Sequence, residues 1–247
     1  MTSHSNDWRF LAILRLSLAC RVVQITMTAK ATTGATLPVK TGLREQRKTE
    51  TRDRIVQAAV ACFAELGFDG ASTRDIARAA GVGQGLVTYH FESKDALWRA
   101  AVVRAFEHFP EPQEVVPVDG SESPAQLKTL FLELAHLYAN HCVDAPFVAM
   151  LIYHQAGQRD ERLQWLIETQ FIPNIEKLRP LYQAGTDAGV IRPIPFVTFA
   201  FAFTGVINTH FALYEVYRRV SGDDPREPAI ADAILQSIGA MFLLDDN

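Results

Sequence analysis

The sequence predicts an all-α protein in two parts, a small N-terminal three-helix domain and a larger C-terminal helical domain. Three observations carry this. Apolar residues recur at helical spacing in almost every segment from Glu50 onward. Two short helical patterns meet at Gly81, and residues 110–124, with four prolines among acidic residues, interrupt the helical rhythm. With 247 residues, 48% of them hydrophobic, the chain can bury a sizeable core.

Charge divides the same way. Residues 1–39 carry 4 basic and 1 acidic side chains, residues 40–108 carry 11 and 9, and residues 109–247 carry 9 and 18. The formal net charge of −4 therefore hides a positive front and a negative body, a balance that suits a polyanion-binding end. Cys20, Cys62 and Cys142 show neither metal spacing nor an even disulfide framework, which points to a reducing cytosol.

Residues 1–45 are expected to be a flexible extension. An apolar stretch from Trp8 to Ile25, with Leu18-Ala19-Cys20 faintly like a lipoprotein cleavage site, is broken by Arg9, Arg15 and Arg21 and is a poor fit to a leader or a bilayer span. Met27 offers an alternative start, followed by a small, polar arm over residues 28–41. Arg44, Arg47, Lys48 and Arg52 come next, and two readings stay open for them: contacts to DNA, or a solvated helix entry.

The first confident helix covers residues 50–66. Ile55, Ala58, Ala59, Cys62, Phe63 and Leu66 form one apolar stripe closed by Gly67, with Phe68 tucked into the same core. Ser72 and Thr73 cap a second helix bearing Ile76, Ala77 and Ala80, and Gly81 ends it where a positive φ is wanted, with Val82 as the apolar plug of the turn. A third helix starts near Gly83 or Gln84. Val87 and Phe91 face inward, leaving Gln84, Gly85, Leu86 and Thr88 accessible. That is the layout of a helix-turn-helix, whose second helix enters the major groove. Ser93 caps a fourth helix through Leu97, Trp98, Ala101, Val102 and Ala105.

After the proline-rich break, the body reads as helices over residues 125–142 (Leu127, Leu130, Phe131, Leu134, Leu137 and Tyr138 inward), from Pro146 through His154, and from Asp160 (Leu163, Leu166, Ile167 and Phe171 inward), the last divided at Pro173 and Pro180 and closed by Gly185 and Gly189. Residues 193–214 hold no Asp, Glu, Lys or Arg. Two prolines, Thr198, Thr204, Asn208, Thr209 and His210 favour a helix buried between its own domain and another subunit over a membrane span. A last helix puts Ile230, Ile234, Leu235, Ile238 and residues 241–244 on one side.

The run Tyr89-His90-Phe91 followed by Ser93-Lys94-Asp95-Ala96-Leu97, with the helix before Ser72, resembles the DNA-binding domain of the TetR family of one-component transcriptional regulators. The resemblance spans residues 49–98. It implies residues 46–108 as the DNA-binding domain with its connecting helix, residues 109–247 as the effector-binding and dimerisation domain, and a homodimer through the last two long helices. It carries phosphate contacts to Thr73, Tyr89, His90 and Lys94; Arg74, by its place at the start of the preceding helix, is a further candidate for a base or phosphate contact. Base reading falls by chemistry to Gln84, which can pair with adenine, to Thr88, and to Leu86 against a thymine methyl, beside the open Gly85. Tyr89 and Phe91 have a second reading as core residues. Gly83-Gln84 stands in place of a frequent Ser-Lys pair and Thr88 where tyrosine is usual, so the operator sequence is not transferable.

The implied effector is small and apolar or aromatic, with Phe131, Tyr138, Met150, Tyr153, His154, Trp165, Phe171 and His210 as candidate lining. No metal ligand set accompanies His136, His141 and His154, and no cofactor is called for. The glycine-rich phosphate loop, the G-x-S-x-G elbow and H-E-x-x-H are all missing, which argues against an enzyme. The expectation is a cytoplasmic homodimeric repressor bound to a near-palindromic operator and released by a small molecule. Its alternatives are an activator of the same fold, or a helical sensor tethered to a membrane by residues 8–25.

Overall fold

The computed structural model describes residues 40–107 and 118–244, with side chains from Arg44 onward. The expectations for residues 1–39, including the arm, the apolar stretch and Met27, and for most of the proline-rich break lie outside the described residues. Among those described, all regular structure is helical, and one antiparallel bridge joins Ile191 to Leu243. The chain divides into two compact units at Arg104/Ala105, inside the helix Lys94–Glu107, whereas the sequence expectation is a domain boundary at residue 108 with the connecting helix running to about Phe109.

The first unit holds α1 (Lys40–Gly70), α2 (Thr73–Ala79), α3 (Gln84–His90) and the start of α4 (Lys94–Glu107). Helix α1 begins ten residues earlier than the predicted start at Glu50 and fifteen before Ile55, the first residue of its apolar stripe. Gly67, at φ 68°, breaks the helical geometry as its position foretells. Burial on α1 is wider than one stripe: Val56, Val60 and Ala64 join Ile55, Ala59, Cys62 and Phe63, while Leu66 is only half-buried. Phe68 stacks on Phe63 with ring centroids 6.0 Å apart and meets the edge of Trp98 at 6.4 Å. Arg104 and Asp53 tie α4 to α1 at 2.7 Å.

In the second unit, α5 (Pro124–Asp144) is the central helix, opened by a full capping box between Ser123 and Gln126. It packs against α9 (Arg179–Asp187), α10 (Phe196–Phe211) and α12 (Pro228–Phe242). Their common core is aromatic: the Phe131 ring lies 5.4 Å from Phe203, 6.0 Å from Phe242 and 6.3 Å from Phe199. On α12, Ile234, Leu235, Ile238 and Phe242 are buried, but Met241, placed with them from the sequence, points out and is 55% exposed. The residues 193–214 do not make one helix: α10 stops at Phe211 and turns by 69° into α11 (Tyr214–Ser221). Among the described residues no single helix is long and apolar enough to cross a membrane.

Between α5 and α9 the chain forms α6 (Phe147–Ala156), α7 (Glu161–Leu166), a π-helical turn (Ile167–Phe171) and α8 (Ile172–Glu176). Here the inward stripe read from the sequence is corrected: only Leu166 is buried, Leu163 and Phe171 are half-buried, and Ile167 is exposed. Pro173 has no N–H to give, and the turn ahead of it widens, with Ile172 N–H reaching Ile167 O and the Asn174 side chain donating to Gln170 O at 2.7 Å.

Gly189, at φ 68°, ends α9, but Gly185 does not end a helix. It is buried inside α9, where an added Cβ would stand 2.4 Å from Ile191 Cδ1 and 3.2 Å from Ile191 Cβ. Ile191 is fully buried and its backbone N–H is held by Gly185 O at 2.9 Å, so it has nowhere to move. Gly185→Ala is therefore expected to cost about 1–3 kcal/mol through overpacking, despite alanine's better helix propensity. A thermal melt of the variant checks this; a rise in melting temperature would contradict it.

Candidate nucleic-acid interface and ligand cavity

Helix α3 has only seven residues and depends on its neighbours for its shape. Ser72 accepts from the Asp75 N–H and starts α2, with Thr73 as its first helical residue. At the other end Gly81 takes φ 65°, the Val82 N–H bonds Ala77 O at 3.0 Å, and the Gly81 N–H bonds Arg78 O at 3.2 Å. This paired closure is a Schellman turn, and it fixes the direction in which the chain enters α3. Val87 and Phe91 then fasten α3 to the core at 2% and 7% exposure.

The opposite face is open. Gln84, Gly85, Leu86 and Thr88 are all exposed, as is Arg74 at the start of α2. The Thr88 hydroxyl lies 3.4 Å from Gln84 O within its own helix and keeps acceptor capacity outward. Tyr89 is corrected from a core reading: it is 68% exposed, its ring edge-on to His90 at 5.2 Å, because the i, i+4 pair Val87 and Phe91 already fills the inner face. Thr73 and His90 are half-buried at the rim. Lys94 is more committed than its position implies, with its ammonium 4.5 Å over the Phe68 ring and 3.5 Å from Asp69 O. Burial first, then the positive charges of Lys48 and Arg52, hold the His90 imidazole below its ordinary value, so at neutral pH it is uncharged.

A cavity of about 290 Å³ opens in the second unit. Its wall comes from Tyr138, His141 and Cys142 of α5, Val148, Ile152 and Tyr153 of α6, Phe171 and Asn174 beside the π turn, and Phe201, Thr204, Gly205 and Asn208 of α10. Of the candidate lining, Tyr138, Tyr153 and Phe171 are there. Phe131, Met150, His154, Trp165 and His210 are not: Phe131 is wholly consumed by the aromatic core, Met150 and His154 face outward, and His210 sits against Tyr217 with Nδ1 2.7 Å from Val206 O. His141, Asn174, Thr204 and Asn208 are not among the sequence candidates, since polar residues scattered over three elements leave no signal at helical spacing.

Among the described residues the wall has no Asp, Glu, Lys or Arg. Cys142 donates to Asn208 Oδ1 at 3.1 Å, and burial pushes its thiol up to about 12, so it is a neutral hydrogen-bond donor. Thr204 spends its hydroxyl proton on Ala200 O at 2.7 Å. Among the described residues no group of His, Cys, Asp and Glu is arranged to hold a metal ion.

Comparison with known proteins places this geometry. The family model for bacterial regulatory proteins of the tetR family matches residues 55–101. The HTH-type transcriptional repressor KstR2 of Rhodococcus jostii is 30% identical over 148 residues, covering 58% of this chain and 67% of that protein. The chain belongs to the TetR family. The transcriptional repressor NicS of Pseudomonas putida is 26% identical over 164 residues, covering 66% of this chain and 76% of its own. In fold, the chain is similar to HlyIIR, a hemolysin II transcriptional regulator, with a TM-score of 0.60 at 18% identity, covering 80% of this chain and 99% of that one. A TetR regulator from Chloroflexus aurantiacus gives 0.58 at 21% identity, covering 81% and 100%. The TetR-family chain is a DNA-binding transcription regulator and not an enzyme.

Two outcomes follow from the site. Gln84→Ala is expected to cost about 1–3 kcal/mol of discrimination at one base pair in each half-site while sparing non-specific affinity, read by competition with single-base operator variants. Unchanged discrimination would remove Gln84 from base reading. Separately, peptide mapping after iodoacetamide at pH 8 should find Cys142 unmodified in the native protein and modified after denaturation, since a rise from 9.0 to about 12 leaves almost no thiolate. Ready native labelling would contradict its burial against Asn208.

Proposed function

We propose that this regulator is a cytoplasmic homodimeric repressor that leaves a near-palindromic operator when a small, uncharged, apolar or aromatic molecule enters the cavity of its C-terminal unit. The observation that carries the reading is a cavity walled by aromatic and aliphatic groups, with a few neutral polar atoms and no charged Asp, Glu, Lys or Arg side chain. A charged ligand would leave its hydration behind without gaining an ion pair, at a cost that a neutral one avoids. The Asn208 amide would donate to an acceptor on that ligand.

The names of KstR2 and NicS, both repressors, favour repression. Residues 46–108 would read DNA, each subunit setting α3 in a major groove with Gln84, Gly85, Leu86 and Thr88 toward the bases and Thr73, Arg74, Tyr89, His90 and Lys94 toward the backbone. Residues 109–247 would hold the effector and the second subunit. Helices α10 and α12 suit a four-helix interface: Val197 is exposed on α10, and Ala233, Ser237, Ala240 and Met241 give α12 a largely small outer face that a partner helix can approach closely. A ligand need supply only about 1.4 kcal/mol of coupling to weaken operator binding tenfold.

Gly205 provides the test. It lines the cavity, and an added Cβ would meet nothing within 4 Å. Gly205→Phe is expected to fill the cavity while keeping operator affinity and melting temperature at wild-type levels, and to lose at least most of the release produced by neutral aromatic compounds. Release measured by fluorescence anisotropy on operator DNA decides it. Equal release of the variant and wild type, or release of wild type by carboxylated analogues in preference to neutral ones, would overturn the assignment of the cavity.

A further inference from the structure

Beyond the helix-turn-helix, α1 carries a feature that core packing does not explain. The helix starts at Lys40, yet its first buried side chain is Ile55. Between them lies roughly 20 Å of helix at 1.5 Å per residue. Every side chain from Arg44 to Glu50 is exposed. A helical overhang with nothing to bury is marginal by itself, and like charges four residues apart weaken it further.

Arg44, Lys48 and Arg52 stand four residues apart and so form one row along the helix. Continued inward, that row runs into Ile55 and Ala59, the residues that pack the first unit's core. The face that is apolar over the core therefore turns cationic as soon as it leaves it. It leaves beside the end of the recognition helix: the Arg52 guanidinium lies 5.2 Å from the Phe91 ring centroid, and the charges of Lys48 and Arg52 act on His90. Among the described residues, Arg44, Lys48 and Arg52 form no salt bridge with a carboxylate. Glu50 lies on the far side of α1, and Glu45 flanks the row without belonging to it.

We propose that Arg44, Lys48 and Arg52 of α1, with His90 at the end of α3, form a ridge that binds the DNA phosphates flanking each half-site and extends the interface outward from the helix-turn-helix. The inference rests on the reading of α3 as the base-reading helix and adds a second, sequence-independent contact to it. Charge complementarity chooses the occupant. Duplex DNA carries one negative charge per about 1.7 Å of its axis, and the row offers cations at a step of about 6 Å along a straight helix. The ridge lies ahead of residues 55–101, the part matched by the family model.

Arg52 packs on Phe91, so its loss alone could disturb α3. The primary variant is therefore Arg44→Ala/Lys48→Ala, with Arg52→Lys as a second that keeps the charge and changes the packing. Full-length protein is titrated over a range of salt against two duplexes selected from genomic DNA, one ending at the operator and one with ten further base pairs on each side. Wild type should bind the longer duplex at least tenfold more tightly, and Arg44→Ala/Lys48→Ala should lose that gain. The slope of log affinity against log salt should fall by about 0.9 for each phosphate contact removed, with base preference unchanged. Arg52→Lys should keep both the slope and the gain. If wild type binds its operator specifically while the flanks and the double variant change nothing, the ridge falls and the regulator reading stands. If wild type prefers no DNA sequence at all, both fall.

Discussion

The constraint on which the rest depends is the shortness of α3. Seven residues cannot hold a helix in water, so the residues that would read DNA have no conformation of their own. They inherit it from the Schellman turn at Gly81 and from Val87 and Phe91, buried among residues of the first unit. This anchoring divides labour along the helix. One face spends Val87 and Phe91 on the core, and what remains, Gln84, Gly85, Leu86 and Thr88, faces out because the inner face is full. Exposure of Tyr89 follows from the same division, as does the row of cations on α1, which shares its line with the residues that build the core.

The second unit solves the opposite problem, keeping space open inside a helical body. Its aromatic residues fall into two groups. Phe131, Phe199, Phe203 and Phe242 close on one another around α5, a dry cluster that supports the unit. Tyr138 bridges to the cavity, its ring 5.7 Å from Phe203 on one side while it lines the open space on the other. Across that space Phe171 meets Phe201 at 5.5 Å, and Phe171 stands where Pro173 has forced a π turn. The cavity wall thus includes a place where the backbone is already off regular α geometry, with Asn174 from the wall satisfying the Gln170 carbonyl.

Much of the first unit was legible in the sequence because its signals are local. Ser72, Gly81 and Ser93 announce helix ends through chemistry that works within four residues, and the stripe from Ile55 to Phe63 announces a buried face. What could not be read there was the start of α1, since a charged helix with nothing to bury has the same periodicity as a solvated arm. The body was legible as helices and less so as a site. Phe131 and Tyr138 sit seven residues apart on one stripe, indistinguishable by spacing, and only packing sends one into the core and the other to the cavity. Asn208 and Thr204 were read as reasons against a membrane span, and their positions in three dimensions make them cavity wall. Gly185 carried the ordinary signature of a helix end, while its true cause is the close approach of Ile191, six residues on, where the chain folds back against α9.

The central claim is that the exposed face of α3 reads a specific DNA sequence in a two-fold arrangement. The most direct measurement is selection of genomic fragments by the purified full-length protein, followed by sequencing of what is bound. The account predicts enrichment of an approximately palindromic site with half-sites about one helical turn apart. Recovery of fragments with no sequence in common, at the frequencies of the input, would contradict it.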